Sequence, residues 1–356
     1  MIWMWVGFIA FILLMLALDL GVFHRKAHVV SVREAMVWFV IWMTMGAAFA
    51  VFVYFAYDGH WFGLGIDPDP VDGLPNDGET ATEKYLTGYV VEKSLSVDNI
   101  FVIAMIFTYF RVAPLYQHRV LFWGIFGALV LRGAMIFFGA QLIAEFHWIL
   151  YFFAVFLILT AIKMLFLKSE QTDLNSSVII RMIRSVFPVT DKFHGDHFMV
   201  RAGSSAASER ETPDVPVAPD DIVERSKPGT LLLTPLALAL VMVETTDLIF
   251  AVDSIPAIFA ITGDSFLVFT SNVFAMLGLR SLYFALAGLE RKFRYLKAAL
   301  ATLLMVVGLK MLFAEWLKLS LGEHFNLYLL GVVVMILATG VGASLIVDRK
   351  SLSQQP

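Results

Sequence analysis

Cysteine is absent from the 356 residues, so neither a disulfide framework nor a thiolate metal site is available to this chain. Charge is scarce too. Asp, Glu, Lys and Arg make up 16% of the sequence, and the formal net charge of -4 is too mild to point to a nucleic-acid partner. There is no nucleophile elbow, phosphate-cradling glycine loop or zinc-protease motif, so nothing directs the reading to an enzyme or to a prosthetic group. What is abundant is apolar: AVILMFWYC account for 59% of residues, and mean hydropathy is +0.78. That composition lies outside ordinary soluble domains. A helix needs about 20 mostly apolar residues to cross a bilayer, and only helices or closed barrels satisfy every backbone polar group there. The apolar runs are too long for barrel strands, so the expected class is an all-α polytopic membrane protein.

About nine spans are expected: Trp3 to Phe23, Arg33 to Tyr57, Tyr85 to Tyr109, Arg119 to Gln141, His147 to Leu167, Leu231 to Asp253, Ser265 to Leu289, Lys297 to Ala314 and Phe325 to Val347. The first has no positive residue before it and Arg25, Lys26 and Arg33 after it, the reverse of a cleavable signal peptide. An uncleaved helix with its amino end outside follows from the positive-inside rule. The connections then alternate. Arg111 and Arg119, Lys168, Arg181 and Arg184, Arg291 to Lys297, and Arg349 and Lys350 fall on the side assigned to the cytoplasm, as in a bacterial inner membrane protein with a cytoplasmic carboxyl end. Asp58, Asp67, Asp69, Asp72, Asp77 and Glu79 fall on the other.

The expected organisation is two helices (1–57), an acidic outer loop (58–84), a three-helix unit (85–168), a cytoplasmic linker (169–229), a second three-helix unit (230–316), a last helix (317–347) and a tail (348–356). The later part of the linker, SSAASERETPDVPVAPDDIVERSKPG, has the polar, proline-bearing composition of disorder. His194 and His197 in FHGDHF are read as a solvated pair in preference to metal ligands.

The two three-helix units echo each other. Glu92 and Asp98 in EKSLSVDNIF match Asp247 and Asp253 in DLIFAVDSIP at the same separation; LRGAMIFF at Arg132 matches LRSLYFAL at Arg280; IKMLF at Lys163 matches LKMLF at Lys310. An odd number of helices per unit forces the second copy to enter the membrane inverted. Inverted repeats commonly place a substrate site at their mutual interface.

Each ionisable group inside a span costs about 2.5 to 3.5 kcal/mol on insertion scales, so Glu92, Asp98, Glu244, Asp247 and Asp253 should face a polar interior or one another. One reading makes the charges structural, with Arg132 and Arg280 neutralising carboxylates. The other gives the acids a function, because they outnumber those arginines. Glu92 and Asp98 lie about 120° apart around a regular helix and about 9 Å along it, so one straight helix cannot gather them. A cation cage needs carboxylates from both units, or a break near Asn99, Ser254 or Pro256. Asp19 near the inner end of the first helix is a further candidate. Oxygen donors of this kind suit Mg²⁺, Ca²⁺ or Mn²⁺.

DLGVFHRKA (19–27), EKSLSVDNIFV (92–102), ETTDLIFAVDSIPAIFAIT (244–262) and SNVFAMLGLRSLYFAL (271–286) resemble the TerC family of integral membrane proteins, in particular its alkaline-inducible manganese-exporter branch. That resemblance implies a fold of the LysE-superfamily type, Mn²⁺ efflux and an association with tellurium resistance, with Glu92, Asp98, Asp247 and Asp253 as the intramembrane acids and Glu244 beside them.

Outward movement of a divalent cation against an inside-negative potential costs about 4.6 kcal/mol per 100 mV, from about 2.3 per charge. Efflux therefore needs coupling, or a chemical gradient of more than about three decades at 100 mV, and exchange for two protons would cancel the transported charge. The alternative from another class is a membrane scaffold that assists folding or metal loading of exported proteins, with the acidic loop and the linker as docking surfaces.

Overall fold

A computed structural model of the protein describes residues 2–18, 31–146, 148–166, 178–190, 192–202, 226–286, 295–313, 316–317 and 325–352. The helices are α1 (Ile2–Leu18), α2 (Val32–Asp58), α3 (Gly78–Tyr109), α4 (Pro114–Glu145), α5 (Ile149–Phe166), α6 (Val178–Val186), α7 (Pro235–Phe259), α8 (Ser265–Leu277), α9 (Leu279–Leu286), α10 (Leu296–Leu312) and α11 (Phe325–Leu352). Among the described residues, α2, α4, α5, α7 and the α8–α9 pair are long and apolar enough to cross a membrane, while α1, α10 and α11 contain shorter apolar runs. The 32 residues of α3 have the length, but Glu83, Lys84, Glu92, Lys93 and Asp98 lower its hydropathy.

The chain is turned inside out relative to a water-soluble protein. Phe137, Phe138, Trp148, Phe152 and Met335 are exposed, whereas Lys84, Glu92, Ser96 and Arg132 are buried. Lipid is the solvent that accepts such a surface, and the charges gather where helices exclude it.

The helix starts follow local chemistry. Ser31, Asp77, Thr234 and Asp264 cap α2, α3, α7 and α8 through their side-chain oxygens, and Pro114 and Pro235 open α4 and α7 where no backbone donor is needed. The Thr234 cap moves the start of α7 beyond Leu231, because Leu231–Leu233 instead pairs antiparallel with Met199–Arg201 in a short ribbon. Asp253 consequently lies inside α7 and not at its end. The linker region thus contains folded pieces: α6, the ribbon, and a buried His194 with a half-buried His197, where the sequence suggested a solvated pair. The proline-bearing stretch 203–225 lies outside the described residues.

The expected helix break appears elsewhere. α3 is continuous through Asn99, and α7 through Ser254 and Pro256. The seventh apolar segment is divided at Gly278 instead. There Lys93 Nζ donates to the Ala275 carbonyl at 2.9 Å, and a Cβ on Gly278 would lie only 2.7 Å from that ammonium. The missing side chain makes room for a buried cation.

Four helices make the centre: α3 packs on α8 and on α7, and α4 packs on α7, while α5 and α10 form the most extensive pair. Thr262 and Gly263, just past the end of α7, touch Asp69, which precedes the start of α3, so α3 and α7 run in opposite directions. α1 and α2 lean on this centre through Phe8, Phe49, Tyr85, Phe266 and Phe274.

The loop between α2 and α3 folds inward over one end of the bundle. Gly65, at φ +70°, turns so closely against the Asn76 carbonyl that no Cβ would fit. Lys84 Nζ donates to Asp69 at 2.8 Å and Asn76 Oδ1 at 2.6 Å, and pairs with Asp72 at 2.6 Å. Asp69 also accepts from Thr262 Oγ1 at 2.5 Å and from the Gly263 and Val71 amides at 2.8 and 2.9 Å. Burial alone would raise the Asp69 carboxyl, but the Lys84 charge and these hydrogen bonds outweigh it and hold Asp69 below the usual range.

Because the folded pKa of Asp69 is lowered, its contribution is complete above about pH 4, the ordinary Asp value, and is lost as pH falls through the lower folded value. Asp69→Asn should destabilise the protein at pH 7 by about 1.5 to 3 kcal/mol, the cost of weakening charged hydrogen bonds while Lys84 keeps Asp72 as a partner. Thermal unfolding in detergent checks this: the gap between wild type and Asp69→Asn should narrow toward pH 3.

Candidate intramembrane acid site

Arg132, on the face of α4 turned to α7, is 1% exposed and organises the site. Its Nε and Nη2 donate to Asp247 Oδ2 and Oδ1, both at 2.9 Å, in a two-pronged contact that fits the planar guanidinium. Nη1 donates to Glu92 Oε1 of α3 and, at 3.3 Å, to Ser254 Oγ of α7. Ser96 Oγ, one turn beyond Glu92, donates to the same Glu92 oxygen at 3.3 Å. Three helices, α3, α4 and α7, therefore meet on one cation.

Glu244 joins from one turn before Asp247, close enough to interact with it electrostatically. Its carboxylate fills the space above Gly127 of α4, where any Cβ would collide with it. Gly124, one turn earlier, lies against Val243 in the same way. Small residues let α4 and α7 approach closely, as is common where helices pack in lipid.

Not every polar atom here is used. Glu92 Oε2, Glu244 Oε2, Tyr89 Oη and Asn272 Nδ2 are buried without a hydrogen-bond partner among the described residues. Orphaned acceptors on two acids of one cluster mark room for a proton, a water or a cation. Among the described residues no three of His, Asp and Glu are gathered in metal-binding geometry. In this arrangement the guanidinium occupies the centre.

The remaining predicted residues divide. Asp253 sits apart, accepting from Thr160 Oγ1 of α5 at 3.4 Å with Lys163 in electrostatic reach. Six residues after Asp247, it faces away from Arg132, as helix geometry requires. Asn99 is buried in α3. Asp98 belongs to α3, with its side chain outside the described residues, and Asp19 lies outside them altogether. Arg280 donates to His118 at 3.1 Å, and Lys310 to the Ala260 carbonyl at 2.5 Å, while Lys163 is exposed. The matched lysines thus differ in burial, and the matched arginines are both buried. The Asp69–Lys84 cluster, Lys93 with Ala275, and Gly127 were not legible as functional positions, although small residues at Gly124 and Gly127 in an apolar run are a usable signal of close packing.

Residues 77–352 match the TerC family of integral membrane proteins. The chain belongs to this family. It is 43% identical over 97% of its length to an uncharacterized membrane protein of Myxococcus xanthus, STKORF319, covering 93% of that protein. It is 39% identical over 93% of its length to a Salmonella typhi protein, and 38% identical over 93% to one from Escherichia coli K12, each provisionally named membrane-bound redox modulator Alx and each covered over 93%. No solved structure matches. The TerC match takes in Glu92, Arg132, Glu244 and Asp247, so the whole acid cluster lies in the family region.

Removing Arg132 leaves two buried carboxylates facing each other. Arg132→Gln should lose about 3 to 5 kcal/mol of stability. Adding Glu92→Gln and Asp247→Asn should recover most of it, because neutral amides replace the unpaired charges. Thermal unfolding of the single and triple variants in detergent measures both steps.

Proposed function

We propose that this TerC protein is a divalent-cation transporter that exports Mn²⁺ by alternating access between two inverted three-helix units. In this reading the units are α3–α4–α5 and α7–α8–α9–α10, in a bundle of nine spans with its amino end outside and its carboxyl end inside the cell. Support comes from the packing. α3 meets α8, α4 meets α7, and α5 meets α10, the reciprocal pattern of two units around a pseudo-two-fold axis, and α3 and α7 run oppositely.

The observation that carries the function is the acid cluster. Glu92 and Asp247 share the Arg132 guanidinium, Glu244 lies one turn from Asp247 over Gly127, and Lys93, the neighbour of Glu92, turns to the Ala275 carbonyl. Three carboxyls against one guanidinium leave two formal charges when all are ionised. One divalent cation or two protons would balance them, which is the charge-neutral exchange that outward transport requires. Arg132 then acts as the resting counter-ion, holding the carboxylates until a cation takes its place. Oxygen donors from Glu, Asp, Asn99 and Ser254 suit a hard or borderline ion. The choice of Mn²⁺ within that class rests on family resemblance.

The relatives' redox name does not extend to thiol exchange here, because the chain has no cysteine. The scaffold reading uses the acidic loop and the linker as docking surfaces; in the loop Asp69 and Asp72 turn inward to Lys84, while Asp58, Asp67, Asp77 and Glu79 are exposed.

Purified protein in proteoliposomes should show saturable Mn²⁺ flux that responds to an imposed proton gradient and moves protons the opposite way. Glu92→Gln, Asp98→Asn, Asp247→Asn and Asp253→Asn should each reduce it at least about tenfold, equivalent to roughly 1.4 kcal/mol. Folded protein that carries neither Mn²⁺ nor Ca²⁺ under any gradient would move the assignment to the scaffold. Flux without a pH change would remove proton coupling alone.

A further inference from the structure

α6 is short and strongly two-sided. At about 100° per residue, Ile180, Ile183, Val186 and Met182 lie along one continuous arc, while Arg181, Arg184 and Ser185 share the other. Among the described residues, one edge of the apolar arc is buried against the protein. Ile180 is buried in the apolar cluster to which α4 and α7 also contribute, through residues such as Tyr116 and Leu236. At the far edge Met182 is 64% exposed and Val186 68% exposed, and Phe187, just past the helix, is also exposed. The basic side chains are exposed as well.

The side of the molecule matters. Just after α6 the Pro188 carbonyl accepts from the Leu233 amide at 3.0 Å and the Thr190 amide donates to the Leu233 carbonyl at 2.9 Å, beside the start of α7 and so at the end of the bundle opposite the Asp69 cluster, the level where helix ends leave the hydrocarbon. A basic, two-sided helix at that level, with an exposed apolar edge, has the chemistry of a segment lying in a membrane interface. Water would have to solvate Met182, Val186 and Phe187 together; acyl chains accept them without cost, and anionic phosphates accept the arginines. Positive charge beside an apolar edge selects acidic phospholipid over zwitterionic lipid.

We infer that α6 is an interfacial helix that binds acidic phospholipid headgroups through Arg181 and Arg184 while Met182 and Val186 enter the acyl boundary. Because Ile180 rests on the helices that carry Arg132 and Asp247, lipid that seats α6 also braces the base of the acid site. The inference requires membrane embedding but not transport, and its test reads no flux.

The absence of native cysteine makes that test direct. Met182→Cys, Val186→Cys and Ser185→Cys are introduced singly into the full chain, spin-labelled, and reconstituted in vesicles of phosphatidylcholine alone or mixed with phosphatidylglycerol. Accessibility to apolar oxygen and to a water-soluble nickel chelate is then compared. In the mixed vesicles labels at 182 and 186 should favour oxygen, and the label at 185 should favour nickel. Arg181→Gln with Arg184→Gln should return labels 182 and 186 toward water, since two basic residues at about 1 kcal/mol each favour the seated position by about 30-fold. Labels at 182 and 186 as open to nickel as label 185 would overturn the inference. Low access to both reagents would overturn it too, by showing that protein covers this edge, as would shielding that ignores both the acidic lipid and the arginines.

Discussion

Arg132 lies between Glu92 of α3 and Asp247 of α7, and the centre of the bundle is arranged around that contact. A guanidinium cannot shed its proton, so it cannot escape the cost of burial by becoming neutral. It must be matched, and here it is matched from two helices that are distant in sequence. Glycines 124 and 127 let α4 come close enough to α7 for the two-pronged contact, and the same closeness presses Glu244 against α4. A packing device and an electrostatic one are therefore the same device.

A second charged centre holds one end of the molecule. Asp69 joins the α2–α3 loop to Lys84 and to the turn after α7, so the start of one helix is tied to the end of another. Tyr57 repeats the link through Asp264, which also caps α8. At the other end the α6 and ribbon segment rests on the first turns of α4 and α7, with Arg119 pairing with Asp196 and Thr234 donating to the His197 and Phe198 carbonyls. The acid cluster lies between these two closures.

Much of the architecture was readable in advance because the bilayer imposes so few solutions. Long apolar runs gave the helix class, and the acids repeated at equal spacing include Glu92 and Asp247, which meet on Arg132. Boundaries were less legible. Leu231–Leu233 reads as the start of an apolar helix, yet its partner Met199–Arg201 turns it into a strand and Thr234 resets the helix start. The break near Asn99 or Pro256 did not form, since neighbours hold α3 and α7 regular, while Gly278 yielded to the needs of Lys93.

By itself the sequence determined that this is a helical membrane protein of the TerC family with carboxylates carried into the bilayer. Composition and periodicity act along the chain, and lipid rewards them directly. Only the tertiary structure decided which carboxylates share a cation. Asp247 and Asp253 look alike in the repeat, but six residues of helix turn them to different neighbours, one to Arg132 and the other to Thr160. Arg132 and Arg280 look alike as well, and only the packing reveals that Arg132 meets Glu92 and Asp247 and that Arg280 reaches His118. A local motif fixes a residue's charge and its place on a helix, whereas its partner is fixed by which helix packs on that face.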